Sequence, residues 1–140
     1  MSTETNEDLV RRFMGDLLNP DAPDQFAASD MIDHSGQGSG REGVKQALGL
    51  FASAFPDWHT TIEDLIAEGD KVVMRGVASG THRGVFMGIP PTGRRVTVSG
   101  VHICRIKDGK IVEHWAEADY LGMMQQLGVI PEREQVRESI

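Results

Sequence analysis

The stretch from Gly109 to Gly128 (GKIVEHWAEADYLGMMQQLG) constrains the fold more than any other part of the chain. The dipeptide Asp108-Gly109 lies between two apolar, β-branched runs, and it favours the type I′ turn of a β-hairpin. The second strand of this hairpin is predicted to run from Lys110 to about Asp119. There the pattern changes to helical spacing, which Gly128 ends. Asp119 therefore stands where a strand becomes a helix, and its carboxylate is either a helix cap or an active-site base.

The remainder of the chain places helices first and strands afterwards. Apolar residues at helical spacing predict one helix up to Pro20 and another from Val44 to Phe55, with a short helix, Pro23 to Ser29, between them. Strands are predicted at 58–67, 71–82 and 94–106, followed by the hairpin strand. This order predicts an α+β domain, a curved antiparallel sheet of about four strands packed on three N-terminal helices, with a short C-terminal helix. A curved sheet packed on helices in this way makes a cone, and the open end of the cone is expected to form a pocket.

Composition and charge exclude several classes of function. A chain of 140 residues makes one domain, predicted to span residues 1–131, with a charged tail at 132–140. A net charge of −7 argues against nucleic acid and an anionic membrane as partners, since both are bound through a basic face. No apolar run approaches the roughly 20 residues of a membrane span. The N-terminus lacks the pattern of a secretion signal, and the single cysteine, Cys104, forms no disulfide within the chain, so a cytoplasmic location is expected.

Two patterns that suggest a cofactor or a metal have simpler explanations. Residues 38–43 match the G-x-G-x-x-G dinucleotide motif by letter, but no βαβ unit surrounds them, and a loop leading into a helix explains them better. The histidines show none of the spacings typical of metal ligands. We therefore expect no cofactor and no metal, and acid–base chemistry by side chains alone. The five histidines are His34, His59, His82, His102 and His114.

The register of the hairpin decides which side chains face the pocket. If Asp108-Gly109 is a two-residue turn, His102 lies opposite Trp115, on the face that also carries Glu117 and Asp119. The other face is then aliphatic apart from His114, and it carries Val101, Ile103, Val112, Ala116 and Ala118. A three-residue turn would shift the register by one residue and place His102 on the opposite side. The pattern leaves open which face lines the pocket, and whether Asp119 is a cap or a base.

Several short motifs occur in order along the chain, the most specific at residues 80–93 (GTHRGVFMGIPPTG), 115–119 (WAEAD) and 126–128 (QLG). They resemble the SnoaL-like polyketide cyclase (ester cyclase) family, within the nuclear transport factor 2-like cone fold, over roughly residues 6–131. The resemblance implies an enzyme that closes a ring of a polyketide ester by an intramolecular aldol reaction, without metal or organic cofactor. Relatives of the fold differ in function, so the alternatives are a ketosteroid-isomerase-like isomerase, another lyase or hydrolase, or a binding protein.

The resemblance also implies part of the site, whereas His102 is placed there by the hairpin register alone. The acid–base aspartate of the family ends the strand before the last helix, as Asp119 does here, and the pair Asp33-His34 resembles a feature that lines the pocket. Asp119 is therefore predicted as the base, with a pKa raised by burial, and His34 as the donor to the enolate oxygen, with His82 or His102 as alternatives. The residues predicted to contact a hydrophobic small-molecule substrate are Phe13, Phe55, Trp58, His82, Phe86, His102 and Trp115.

Two further features concern the surface. The connector Arg83–Gly93, stiffened by Pro90-Pro91, is expected at the mouth of the cone as a lid or a rigid cover. The aliphatic face of the strands has no helices left to cover it. We therefore expect a homodimer in which this face meets a second subunit.

Overall fold

The structure is a computed structural model that describes residues 3–35 and 40–131, with side chains from residue 5 onward. The predicted charged tail at 132–140 lies outside the described residues, as do residues 36–39 of the glycine-rich loop. No helix in the described ranges is long and apolar enough to cross a membrane. In chain order, the helices and strands are α1 (Thr3–Met14), α2 (Ala22–Phe26), β1 (Ala27–Asp33), α3 (Arg41–Ala54), β2 (His59–Glu68), β3 (Lys71–Thr81), β4 (Arg95–Lys107), β5 (Lys110–Ala118) and α4 (Tyr120–Leu127).

The strands form one five-stranded sheet in the order β1-β5-β4-β3-β2. The pairs β2–β3, β3–β4 and β4–β5 are antiparallel, whereas β1 runs parallel to β5. Helix α1 contacts β2 and β3, α3 contacts β1, and α4 contacts β4. The α+β class is confirmed, with five strands in place of the four predicted.

The strand that the sequence pattern misses is β1. A short helix is predicted from Pro23 to Ser29, but the helix ends at Phe26 and the chain continues as a strand. Only Ala27 and Met31 are buried along this strand, so its sequence carries no clear alternation. Parallel pairing with β5 stabilises it, and pairing between segments so far apart in the chain leaves no local signal.

Helix α1 packs on the inner face of the sheet and ends earlier than predicted. Gly15, a poor helix former, follows Met14, and the chain turns there instead of continuing as a helix towards Pro20. Each large apolar side chain buried in this core contributes about 1.5–3 kcal/mol relative to exposure. The residues that α1 contributes to the core are Leu9, Val10, Phe13 and Met14.

The hairpin between β4 and β5 combines a confirmed turn with an unpredicted bulge. Asp108 and Gly109 have positive φ angles of 52° and 73°, as a type I′ turn requires, and Lys107 pairs with Lys110. Beyond the next pair, the register shifts by one residue, which is a β-bulge.

Because of this bulge, the predicted partner of His102 is wrong. His102 lies opposite Ala116, and Trp115 lies opposite Ile103. A shift of one residue exchanges the two faces of a strand. His102 and Trp115 therefore point to opposite sides of the sheet.

The connector between β3 and β4 is tied to the end of α3. Backbone N–H groups of Arg83 and Gly84 both donate to the carbonyl oxygen of Ala54. A Cβ atom on Gly84 would lie 2.5 Å from the carbonyl oxygen of Ser53, closer than real Cβ contacts come. Glycine at this position is therefore what lets the connector approach the helix.

This close approach predicts that Gly84→Ala lowers the free energy of unfolding by about 1–3 kcal/mol, because the backbone must shift to admit the methyl group. Gly49→Ala in α3 is the matched control, since a Cβ atom there meets nothing within 4 Å. Alanine in a helix interior should raise the free energy of unfolding by about 0.5–1 kcal/mol. Urea denaturation of both variants measures this, and equal effects of the two substitutions would contradict the packing described.

Candidate functional site

A cavity of about 550 Å³ lies between the inner face of the sheet and helices α1, α3 and α4. Its volume falls within the range typical of small-molecule sites, about 300–1,000 Å³. Its lining is mostly apolar. Methionine is flexible and polarisable, so a methionine-rich wall adapts to guests of different shape and contacts aromatic rings favourably. Every methionine with a described side chain lines the cavity: Met14, Met31, Met74, Met87, Met123 and Met124.

Two glycines keep part of the cavity wall free of side chains. Gly76 of β3 pairs with Gly100 of β4, and both line the cavity. A Cβ atom on Gly76 would lie 2.8 Å from the carbonyl oxygen of Thr61, and one on Gly100 would lie 3.0 Å from the carbonyl oxygen of Glu117. A side chain at either position would press on the backbone, so this region of the sheet leaves room for a guest.

The polar part of the cavity is a row of three side chains from three strands. Asp33 Oδ1 lies 3.1 Å from His114 Nδ1, and His114 Nε2 lies 2.9 Å from His102 Nδ1. The backbone N–H and the hydroxyl of Ser35 both donate to Asp33 Oδ1. The side chain of Asp33 is only 4% exposed and that of His114 15% exposed. All four residues line the cavity.

The backbone pairing places these groups side by side. Asp33 is the last residue of β1, and its parallel partner in β5 is His114. His114 in turn lies opposite Cys104, two residues along β4 from His102. Residues two apart on a strand share a face, so the two imidazoles meet on the inner side of the sheet.

Burial and hydrogen bonding fix the charges in this row. Burial alone would raise the pKa of Asp33, but hydrogen bonds from His114 and Ser35 outweigh it and hold that pKa below its usual value. Burial, and then the neighbouring His114, lowers the pKa of His102 to about 4. Near neutral pH, Asp33 is therefore an anion and His102 a neutral imidazole.

Two further titratable groups lie near Asp33 and stay uncharged. Burial raises the pKa of the Cys104 thiol to about 12, with a smaller effect from the Asp33 charge. Burial, followed by the same charge, raises the pKa of Tyr120, whose side chain also lines the cavity. The negative charge of Asp33 therefore has two groups near it that stay neutral near neutral pH.

Four of the residues predicted to contact the substrate do line the cavity: Phe13, Trp58, Phe86 and His102. Phe86 and Met87 reach it from the connector. There, a two-residue turn at Met87-Gly88 joins the bridged residues Phe86 and Ile89. Trp58 and Phe86 each contact Phe51 edge-on, at ring-centroid distances of 4.6 Å and 5.7 Å. The aromatic wall at this end is therefore continuous from α3 to the connector.

Phe55 and His82, also predicted to contact the substrate, lie behind this aromatic wall. Both are fully buried, and their rings stack at 5.4 Å. His82 Nδ1 accepts a hydrogen bond from the backbone N–H of Thr92, and the backbone of His82 pairs with Arg94 and Gly93. His82 therefore joins the start of the connector to its end, and it does not line the cavity.

His34 and Trp115 lie on the outer face of the sheet, not in the cavity as predicted. Their rings stack at 4.8 Å, and His34 Nε2 lies 2.7 Å from Glu113 Oε2. Each follows an inward-facing residue, Asp33 and His114 respectively. Successive residues of a strand point to opposite faces, so both side chains must point outward.

Asp119 is exposed, and its carboxylate caps α4. Its Oδ1 accepts a hydrogen bond from the backbone N–H of Gly122 at 2.9 Å, while its own N–H donates to the carbonyl oxygen of Ser99. The predicted burial of this carboxylate is wrong, because the capping bond turns it away from the cavity lining. Its neighbours Ala118 and Tyr120 both line the cavity, so Asp119 stands at the rim. Its role as a base stays a prediction.

Sequence reasoning missed the central residue of the polar row, His114, and the hydroxyl of Tyr120. The predicted register put His114 on the aliphatic face, and only the bulge in the hairpin brings it inward. No local sequence pattern predicts that bulge. Because the three groups are joined in a row, both nitrogens of His114 are occupied by protein partners. Among residues 3–35 and 40–131 no group of three or more His, Cys, Asp or Glu side chains is arranged to hold a metal ion.

Comparison with known proteins gives consistent matches along most of the chain. The model of the SnoaL-like polyketide cyclase family matches residues 8–127. Aklanonic acid methyl ester cyclase DauD of Streptomyces sp. (strain C5) is 31% identical over 129 residues, which are 91% of this chain and 74% of that protein. Nogalonic acid methyl ester cyclase of Streptomyces nogalater is 32% identical over 128 residues, 91% of this chain and 88% of that protein. The structure of TsrD from Streptomyces laurentii superposes with a TM-score of 0.85 at 32% identity, covering 93% of this chain and 99% of that one.

The neutral, buried state of His102 predicts how stability depends on pH. The pKa of this imidazole is about 4 in the folded protein and about 6.5 in the unfolded chain, so between these values only the unfolded chain binds the proton. The free energy of unfolding should therefore decrease as pH falls from 6.5 towards 4, by about 3 kcal/mol from this group.

In His102→Gln this part of the decrease should be lost, whereas replacement of the exposed His59 by Gln should leave the slope close to that of the wild type. Denaturation curves across this pH range measure the difference. The same slope in His102→Gln and in the wild type would contradict the burial of a neutral imidazole at this position.

Proposed function

Because the chain belongs to the SnoaL-like polyketide cyclase family, we propose that it closes a ring in a hydrophobic polyketide ester by an intramolecular aldol reaction, with its own side chains as acid and base. The observation that carries this proposal is the row Asp33–His114–His102 at the wall of a mostly apolar cavity. An apolar cavity holds the substrate away from water, and the row supplies a group that can take up and return a proton.

The substrate class follows from the relatives and from the cavity. Two relatives are cyclases of the methyl esters of aklanonic acid and nogalonic acid. A methionine-rich wall and the aromatic cluster of Phe51, Trp58 and Phe86 suit a flat, polarisable ring system. We therefore propose a polycyclic polyketide methyl ester as the substrate, bound without a cofactor.

The reaction needs one proton removed and one returned. A base takes a proton from a carbon next to a carbonyl group, the resulting enolate carbon attacks a ketone of the same molecule, and the new alkoxide is protonated. One carbon–carbon bond forms and the product is an isomer of the substrate, so no oxidant or second reactant is required. The developing oxyanions need donors. Ser35 lines the cavity but already donates its hydroxyl to Asp33, and the other side chains with hydroxyl groups that line the cavity are Thr60, Ser99 and Tyr120.

We propose His102 as the base, since it lines the cavity and is neutral near neutral pH. Asp119, the residue at the family's aspartate position, is the alternative. Its carboxylate would have to leave the N–H of Gly122 and turn inward, and the loss of such a cap costs about 1 kcal/mol. That amount is small compared with the effect of a catalytic base, so the two residues have to be compared directly.

The experiment incubates the protein with aklanonic acid methyl ester and follows the product by chromatography and mass. The wild type should give an isomer of unchanged mass. His102→Gln should lower kcat/KM by roughly 10²–10⁴-fold, because it removes the base. Asp119→Asn keeps an oxygen for the cap and should retain most of the rate.

The reverse result, with Asp119→Asn inactive and His102→Gln fully active, would make Asp119 the base. A wild-type protein that cyclises neither this ester nor that of nogalonic acid would contradict the proposed function. The exposed His59→Gln is the control for histidine replacement in general.

We also propose that two copies of the chain pair through the outer face of the sheet. Ile32, Ile66 and Val101 on this face are 46%, 62% and 37% exposed. The stacked rings of His34 and Trp115 extend the same face. Burying this surface against a second copy would remove apolar groups from water.

The cytoplasmic location expected from the sequence stays a prediction.

For the homodimer we predict that Val101→Glu, in the central strand β4, shifts the protein to a monomer, because a charge would be buried in the contact. Leu50→Glu is the matched control. Leu50 is 74% exposed on α3, away from the sheet's outer face, and its replacement should leave the mass unchanged. Light scattering after size exclusion measures both, and a monomeric wild type would contradict the proposal.

A further inference from the structure

The two ends of the polar row Asp33–His114–His102 differ in their hydrogen bonding. His114 has both ring nitrogens engaged, Nδ1 with Asp33 Oδ1 and Nε2 with His102 Nδ1. His102 has only Nδ1 engaged among the described contacts. The rings of the two histidines lie 5.2 Å apart with an angle of 29° between their planes. The row therefore begins at a buried carboxylate and ends at His102 Nε2.

The hydrogen-bonding capacity of each group fixes where the protons lie. An ionised carboxylate only accepts, so His114 Nδ1 must carry a proton and donate it to Asp33. In a neutral His114 the other nitrogen, Nε2, then has a lone pair and accepts from His102 Nδ1–H. In a neutral His102 this leaves the lone pair on Nε2. Asp33 thus sets the tautomer of His114, and His114 in turn sets the tautomer of His102.

We propose that this row is a proton relay, in which His102 Nε2 takes the substrate proton while His102 Nδ1 passes its own proton to His114 Nε2. Imidazolium then forms on His114, next to the Asp33 carboxylate, and not on His102. The relay rests on the proposed ring closure, and it makes His102 the catalytic residue and His114 and Asp33 positioning residues.

The relay resolves a difficulty with His102 acting alone. Burial makes the charged form of this imidazole unfavourable, and its pKa of about 4 makes it a weak base near neutral pH. Transfer of the charge to His114 creates an ion pair with Asp33, whose carboxylate lies 3.1 Å away. A charge held beside an opposite charge is stabilised, so the pair accepts a proton more readily than His102 would.

Each proton that moves is also returned. When the enolate carbon attacks the ketone, the new alkoxide takes the proton from His102 Nε2. His102 Nδ1 then recovers its proton from His114 Nε2, and His114 remains neutral with Nδ1–H bonded to Asp33. No proton is gained or lost over the cycle.

Two other titratable groups near Asp33 add no charge to the row. Cys104 on β4 and Tyr120 on α4 are both held neutral, since burial and the Asp33 charge raise the pKa of each. Ser35 donates to Asp33 but has no charge. The pH at which the row takes up a proton is therefore set by the two histidines and Asp33 together, as a coupled system.

The direct test is nitrogen NMR of the wild-type protein labelled at histidine, near neutral pH and without substrate. His114 and His102 should both carry the proton on Nδ1, with Nε2 unprotonated. In Asp33→Asn this order should be lost, because the amide can also donate to His114. A wild-type His114 or His102 that is protonated on Nε2 would overturn the relay, whether or not the protein cyclises a substrate.

Turnover provides the second readout. His114→Gln and Asp33→Asn should each lower kcat by roughly 10²-fold with little change in KM, because they impair proton transfer and not substrate binding. The acid limb of the rate profile should move to lower pH in Asp33→Asn, since the imidazolium loses its anionic partner. His59→Gln, at an exposed position on β2, should change neither kcat nor the pH of the acid limb.

The two proposals fail in different ways. If the wild type closes no ring, the proposed function is wrong, and the tautomers alone decide on the relay. If the wild type closes the ring and His114→Gln keeps its full kcat, the relay is wrong and the proposed function stands.

Discussion

The parallel pairing of β1 with β5 is the contact on which the candidate site depends. It sets Asp33 beside His114 on the inner face and, one residue further along each strand, His34 beside Trp115 on the outer face. The two faces of this strand pair therefore carry different chemistry. The inner face joins a carboxylate to an imidazole within an apolar cavity. The outer face holds the stacked pair, the contact of Glu113 with His34 and an ion pair of Glu113 with Arg105.

The cavity works as a site because its polar groups are few and bonded to one another. An isolated carboxylate at the depth of Asp33 would be costly to ionise, and its hydrogen bonds from His114 and Ser35 are what keep it charged. The surrounding methionines and aromatic rings exclude water without imposing a rigid shape. A guest would therefore meet an adaptable apolar wall and, at one end, the unshared nitrogen of His102.

Local patterns predicted most of the fold and only part of the site. Helical spacing gave α3 and α4, and the Asp108-Gly109 turn has the predicted type I′ geometry. The family resemblance is confirmed over residues 8–127. What the patterns could not provide were β1, whose stability comes from a distant strand, and the bulge that shifts β5 by one residue.

That single shift accounts for the main errors at the site. It turns His114 and Ala116 inward and Trp115 and Glu117 outward, the opposite of the predicted arrangement. Asp119 shows a different limit. Its position at the junction of β5 and α4 was predicted, but whether the carboxylate points at a guest or at Gly122 depends on a side-chain rotamer, which no sequence pattern encodes.

The most direct test of this account is a crystal structure with an unreactive analogue of the ester bound in the cavity. The carbon that would lose its proton should then lie about 3–3.5 Å from His102 Nε2, the separation of a reactive arrangement. An analogue seated with that carbon against the Asp119 carboxylate, and with His102 out of reach, would contradict the central claim that the inner row of Asp33, His114 and His102 handles the proton.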